Sequence, residues 1–138
     1  MIDTPERTAA TPSAVSSHNA TVYIVDDDAG VRDSLALLLG LHGYATRAYD
    51  SGRAFLDHLG ERVRGCGLLD LRMPETDGLT VQRELHSRGI DLPIIMVTAH
   101  GDVQAARASL LGGAVDFLEK PIDERQLLDA IRRALGRS

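Results

Sequence analysis

Five times along the chain, a short apolar run is followed by a segment whose apolar residues recur at helical spacing. Thr21–Asp26 (TVYIVD) is β-rich, apolar and ends in acids, which predicts a buried strand. Asp28 then offers an N-cap, and Val31, Leu35, Leu38, Leu39 and His42 keep helical spacing until Gly43 stops it. Tyr44–Tyr49 predicts a shorter alternating strand, and Ser51 caps a second helix carrying Phe55, Leu56 and Leu59. Cys66–Asp70 predicts a third strand, weakened by Gly67 inside it. Leu79–Arg88 predicts a third helix stopped at Gly89, and Pro93–Thr98 (PIIMVT) is the clearest buried strand of the sequence. A helix over Asp102–Leu111 and a strand over Ala114–Leu118 follow. The last helix, over Asp123–Leu135, carries Leu127, Leu128, Ile131 and Leu135 on one face.

Continuous apolar strands alternating with amphipathic helices imply a parallel sheet covered on both faces. Five such units without a long insert predict an α/β fold of flavodoxin-like (βα)5 type, with strand order 2-1-3-4-5. Ligands in such sheets bind beyond the carboxyl ends of the strands, at the switch point between the first and third. Residues 1–20 are rich in Ala, Ser, Thr and Pro and read as a disordered arm, which leaves residues 21–138 as one domain.

Composition narrows the function. At 138 residues, 43% hydrophobic and 25% charged, the chain can bury one core without disulfides or a structural metal. The lone Cys66 excludes a disulfide framework and a Cys-rich zinc site, and its place within a strand reads as inert core. Five histidines are scattered without H-E-x-x-H spacing, and His100 reads as an exposed loop residue. The longest apolar run, from Leu35 to Leu41, is far short of the ~20 residues a membrane span needs. The first twenty residues lack a basic-then-apolar signal pattern, so the expected location is cytoplasmic. A net charge of −5 argues against this chain itself reading nucleic acid. Of fifteen Lys and Arg residues only Lys120 is lysine, which marks a position where a guanidinium will not serve.

The acids collect where the fold places a site. Asp26 and Asp27 end the first strand with Asp28 just beyond, and Asp70 ends the third. Thr98 ends the fourth strand, and Lys120 follows the fifth. Converging carboxylates repel and push at least one pKa up, and a hard divalent cation resolves the conflict. An open site with few protein oxygens suits Mg²⁺.

The strings IVDDD, LLDLRMPETDGL, IIMVTAHGD and GAVDFLEKP, in this order, resemble the four signature blocks of the response-regulator receiver domain of two-component systems. The resemblance covers about residues 20–136, and TAHGDVQAARASLLGGAVDFLEKP is similar to the FixJ-type (LuxR/NarL-like) subgroup. It implies that Asp70 is the phosphoacceptor, taking a phosphoryl group from the phosphohistidine of a sensor histidine kinase. It implies that Asp27 binds Mg²⁺ directly, Asp26 mainly through water, and Arg72 through its backbone carbonyl. Thr98 would hydrogen-bond a phosphoryl oxygen, Lys120 would pair with Asp70 and then with the acyl phosphate, and Phe117 would be the aromatic that swings inward. The family also implies a signalling switch rather than an enzyme, a phosphorylation-dependent homodimer through the fourth helix and fifth strand, and DNA contact only through a separate output domain. The alternative is a stand-alone receiver acting by phosphorelay or protein docking.

The family usually has a cis peptide before Pro121, whereas an isolated X-Pro bond prefers trans. Gly67 departs from the bulky aliphatic usual in that strand. A haloacid-dehalogenase-like phosphatase would need a second Asp two residues after the first, where Arg72 stands. A P-loop is excluded because the only lysine lies in Glu119-Lys120-Pro121. A flavin binder would need a Ser/Thr/Gly-rich phosphate loop after the first strand, where acids stand instead.

Overall fold

The computed structural model describes residues 20–60, 63–99 and 101–136. Residues 1–19 of the arm predicted over residues 1–20, and the loop histidine His100, lie outside them. Strands and helices alternate as β1 (Thr21–Val25), α1 (Ala29–Leu41), β2 (Ala45–Tyr49), α2 (Gly52–His58) and β3 (Gly65–Asp70). They continue as α3 (Gly78–Ser87), β4 (Ile94–Thr98), α4 (Val103–Leu111), β5 (Asp116–Glu119) and α5 (Glu124–Leu135). All strand pairs are parallel, in the order β2-β1-β3-β4-β5, as the alternation of runs and helices predicts.

The continuous apolar runs serve two cores at once, because successive side chains of a strand leave on opposite faces. Val22, Ile24, Cys66, Leu68, Ile95 and Val97 point to the side where α1 and α5 supply Leu35, Leu39, Leu127 and Ile131. Val25, Leu69, Leu71, Ile94 and Met96 point to the other, against Phe55 and Leu56 of α2, Val81 and Leu85 of α3, and Ala105 of α4. Cys66 is fully buried, and burial pushes its thiol up to about 12, which suits an inert core residue.

The ends of the elements differ in small ways from the sequence pattern. The fifth strand runs from Asp116 to Glu119 rather than over 114–118. Its start is delayed because Gly113 adopts φ 106° and the Ala114 N–H donates back to the Ser109 carbonyl to close α4. β2 is an edge strand with Ala45, Arg47 and Ala48 exposed. Every residue of β3 is buried despite Gly67, because a Cβ there would lie 2.8 Å from Ile94 Cδ1. The glycine makes room for a neighbouring strand's side chain. The Lys120–Pro121 bond is cis, against the trans preference of an isolated X-Pro bond. That preference is only about 0.5–1 kcal/mol, small enough for the surrounding fold to reverse.

Candidate functional site

The register of the sheet brings the strand-end residues together. β1 and β3 pair with Val25 opposite Leu69, so Asp26 and Asp70 leave adjacent strands side by side. Asp70 pairs with Val97, which puts Thr98 at the next strand's end, and Thr98 pairs with Glu119. The Lys120 N–H donates to the Thr98 carbonyl at 2.9 Å, which fixes where the lysine stem begins.

Three carboxylates meet here. Asp26, Asp27 and Asp70 can each offer an oxygen within 4.8 Å of the others. Asp26 and Asp70 are buried, whereas Asp27 is exposed. Asp26 Oδ1 accepts from the Asp28 N–H at 2.9 Å, and Asp70 Oδ1 accepts from the Arg72 N–H at 3.2 Å. Lys120 Nζ lies between the two buried acids, 3.2 Å from Asp26 Oδ2 and 3.4 Å from Asp70 Oδ2. One ammonium does not balance three carboxylates. Burial first, and then the Asp26 charge, push the Asp70 carboxyl above the usual range, and Lys120 and the Arg72 N–H offset this only in part. Burial pulls the Lys120 ammonium down, but Asp70 and Asp26 together raise it by more, so it titrates above the usual lysine range. An all-oxygen donor set with surplus negative charge and an exposed side fits a hard divalent cation.

Thr98 is buried at the end of β4, where among the described residues its hydroxyl makes only a long 3.4 Å bond to the Ala99 carbonyl. Phe117 is half-buried and lines a groove with Thr98, Ala106 and Leu110, between β5 and α4. Asp26, Asp27, Asp70 and Lys120 therefore form one cluster, with the Arg72 backbone beside it. Thr98 borders that cluster, and Phe117 stands one step further out.

The sequence pattern did not single out three further contacts. The Arg32 guanidinium donates to the Asp26 carbonyl at 2.6 Å, reaching back from the first turn of α1 to hold the β1–α1 loop. Arg72 Nε and Nη2 donate to Asp102 Oδ2 at 3.1 and 2.8 Å, joining the β3–α3 loop to the start of α4. The Gly101 N–H donates to Glu119 Oε2 at 2.9 Å. Arg32 carries a weak sequence signal, one helical turn beyond the Asp28 cap; the other two are long-range and carry none.

Order 2-1-3-4-5, acids beyond β1 and β3, and a lysine after β5 together describe a response regulator receiver domain. The family model of that domain matches residues 22–132, and the chain belongs to the family. Such domains are the signalling switches of two-component systems. The chain is 45% identical over 117 residues to the transcriptional regulatory protein FixJ of Azorhizobium caulinodans, covering 85% of this chain and 56% of that protein. It is 42% identical over 121 residues to the response regulator protein TmoT of Ectopseudomonas mendocina, covering 88% of this chain and 55% of that one. The crystal structure of FixJ-N superposes with a TM-score of 0.82 at 40% identity, over 86% of this chain and 95% of that chain. The FixJ-type resemblance read from the signature blocks is thus borne out. The chain spans about half the length of the curated relatives it matches.

Proposed function

We propose that the domain is a phosphorylation switch in which Asp70 takes a phosphoryl group from a phosphohistidine of a sensor histidine kinase. An Asp70 oxygen attacks phosphorus as the P–N bond breaks, and the imidazole leaves with the bonding pair and takes a proton. Asp26, Asp27, Asp70 and the Arg72 carbonyl would hold Mg²⁺, which when bound offsets negative charge on the carboxylates and the incoming phosphoryl oxygens. Lys120 holds Asp70 in place and stays within reach of an oxygen of the acyl phosphate. Thr98, its hydroxyl weakly held, offers a hydrogen bond to another. The observation that carries this reading is Lys120 Nζ between two buried carboxylates, with a third close by and Asp70 raised.

The expected result with acetyl phosphate is a mass gain of one phosphoryl group at Asp70 that requires Mg²⁺ and is absent in Asp70→Asn. Equal labelling of the Asn variant would overturn the assignment, and labelling indifferent to EDTA would overturn the metal. In this reading residues 21–138 form the receiver and residues 1–20 an arm outside it, in agreement with the family match beginning at residue 22. The proposed output is control of transcription through a separate DNA-binding domain; the naming of FixJ as a transcriptional regulatory protein supports the output, and the greater length of the relatives supports a further domain. Among the described residues no helix is long and apolar enough to cross a membrane, and the proposed location is the cytoplasm, where a sensor kinase delivers its phosphoryl group.

A further inference from the structure

Among the described residues, four of the five helices begin with a side chain turned onto their own first turn: Asp28, Ser51, Asp77 and Asp123 each accept from an N–H two or three residues ahead. The exception is α4. Asp102 stands at its N-cap position, yet its side chain makes no capping bond. Its Oδ2 is taken instead by the fork of Arg72. Arg72 is also the residue whose backbone N–H donates to Asp70 Oδ1. One residue therefore touches the candidate phosphoacceptor through its backbone and the start of α4 through its side chain. The Arg72 side chain is 66% exposed, so its guanidinium is free to change partners without crossing a packed core.

We propose that Arg72 and Asp102 are a positioning pair with two mutually exclusive arrangements, which carry the state of Asp70 to the first turn of α4. In the arrangement seen, Arg72 holds Asp102 and α4 starts without a side-chain cap. A phosphoryl group on Asp70 offers the guanidinium a dianionic acceptor beside its own backbone, a stronger partner than one carboxylate oxygen. Asp102, once released, turns onto the N–H groups of Gln104 and Ala105, as Asp28 does on both equivalent groups of α1 and the other three caps do on the second of them. Asp102 has a partner in both arrangements, and so does Arg72 once the phosphoryl group is present, which makes the element two-state rather than simply breakable. The inference rests on Asp70 being the phosphoacceptor.

Amide hydrogen exchange at Gln104 and Ala105, read by NMR on the full chain, tests the pair. On phosphorylation with acetyl phosphate and Mg²⁺, those two amides should slow about fivefold, the effect of gaining one side-chain cap. Asp102→Asn keeps a good cap but loses the charge that holds Arg72, so its amides should be slow before phosphorylation and change no further. Asp102→Ala can neither pair nor cap, and should exchange fast in both states. Thermal melts show that each variant is folded, and the mass of the protein shows whether Asp70 is phosphorylated. A phosphorylated parent protein with unchanged exchange at Gln104 and Ala105 overturns the pair and leaves the phosphoacceptor intact. Absence of any phosphoryl uptake overturns the phosphoacceptor instead. The pair is then judged on Asp102→Asn alone, where exchange as fast as in the parent overturns it.

Discussion

Lys120 places a single ammonium against two carboxylates at 3.2 and 3.4 Å, a geometry that suits a point charge better than a planar fork. Lys120→Arg is therefore expected to fold with a melting temperature within a few degrees of the parent. It should still accept phosphate at Asp70 but no longer convert phosphorylation into self-association. Paired thermal melts and sedimentation check this; a variant that associates on phosphorylation like the parent would show the lone lysine to be replaceable. Asp70 makes the opposite contribution. Its pKa in the fold lies above the unfolded value, so the folded state binds the proton more tightly. Stability from this group falls as pH rises from the ordinary carboxylate range through the raised pKa, and the cost is fully present above it. Asp70→Asn should raise stability at neutral pH by about 1 kcal/mol, a few degrees for a domain of this size. That gain should shrink as the pH is lowered through the same window. Saturating Mg²⁺ should raise the melting temperature of the parent by mass action and raise that of Asp70→Asn less. Thermal melts at neutral and acid pH, with and without the metal, separate the two effects.

At the scale of elements, the tightest constraint lies where β3 starts beside β1. Gly65 has φ 130°, and a Cβ there would lie 1.8 Å from the Thr21 carbonyl oxygen. Gly65→Ala is expected to cost about 3 kcal/mol through backbone strain and displacement of the first strand pair. At Gly40, in the last turn of α1, a Cβ would meet nothing within 4 Å among the described residues beyond its chain neighbours and its own helix backbone. Gly40→Ala should stabilise by about 0.5 kcal/mol through helix propensity. Urea midpoints of the two variants should move in opposite directions; a drop for both would put an unseen constraint on α1. Gly78 has a positional role of its own. A Cβ there would meet Met96 Sδ at 2.7 Å and the Asp70 carbonyl at 3.0 Å, so glycine lets α3 begin directly against the candidate phosphoacceptor.

For the whole molecule, the face between α4 and β5 is an apolar surface that borders the site through Thr98 and Phe117. Val103 and Leu111 are 70% and 83% exposed there, beside the groove floored by Ala106 and Phe117. Phosphorylation is expected to promote a dimer through this face, since a shift of a few kcal/mol converts a mostly monomeric form. Sedimentation at tens of micromolar should show the mass rise on phosphorylation, and Leu111→Glu should abolish the rise while Asp70 still accepts phosphate. An unchanged mass for the phosphorylated parent would overturn the dimer, and a dimer indifferent to Leu111→Glu would place the association elsewhere.

The sequence by itself determined the order of elements, the parallel sheet and the residues at its working edge, because each of these is a local property. Runs such as PIIMVT, caps such as Ser51, and acids at the ends of TVYIVD and Cys66–Asp70 are legible within a few residues. The fold rule then assigns strand ends to one edge. The late start of β5 was not legible, because the Ala114 N–H closes α4 by a bond whose competition with the strand no local pattern reveals. Only the tertiary structure decided which side chains meet at that edge. Lys120 reaches Asp26 across 94 residues and Asp70 across 50, and Arg72 reaches Asp102 across 30. It also decided that Asp102 holds Arg72 rather than its own helix, a choice between two satisfactory partners that sequence spacing cannot rank. The reason is physical: hydrophobic periodicity encodes which face a residue takes, whereas partner choice depends on the strand register and loop paths that packing alone sets.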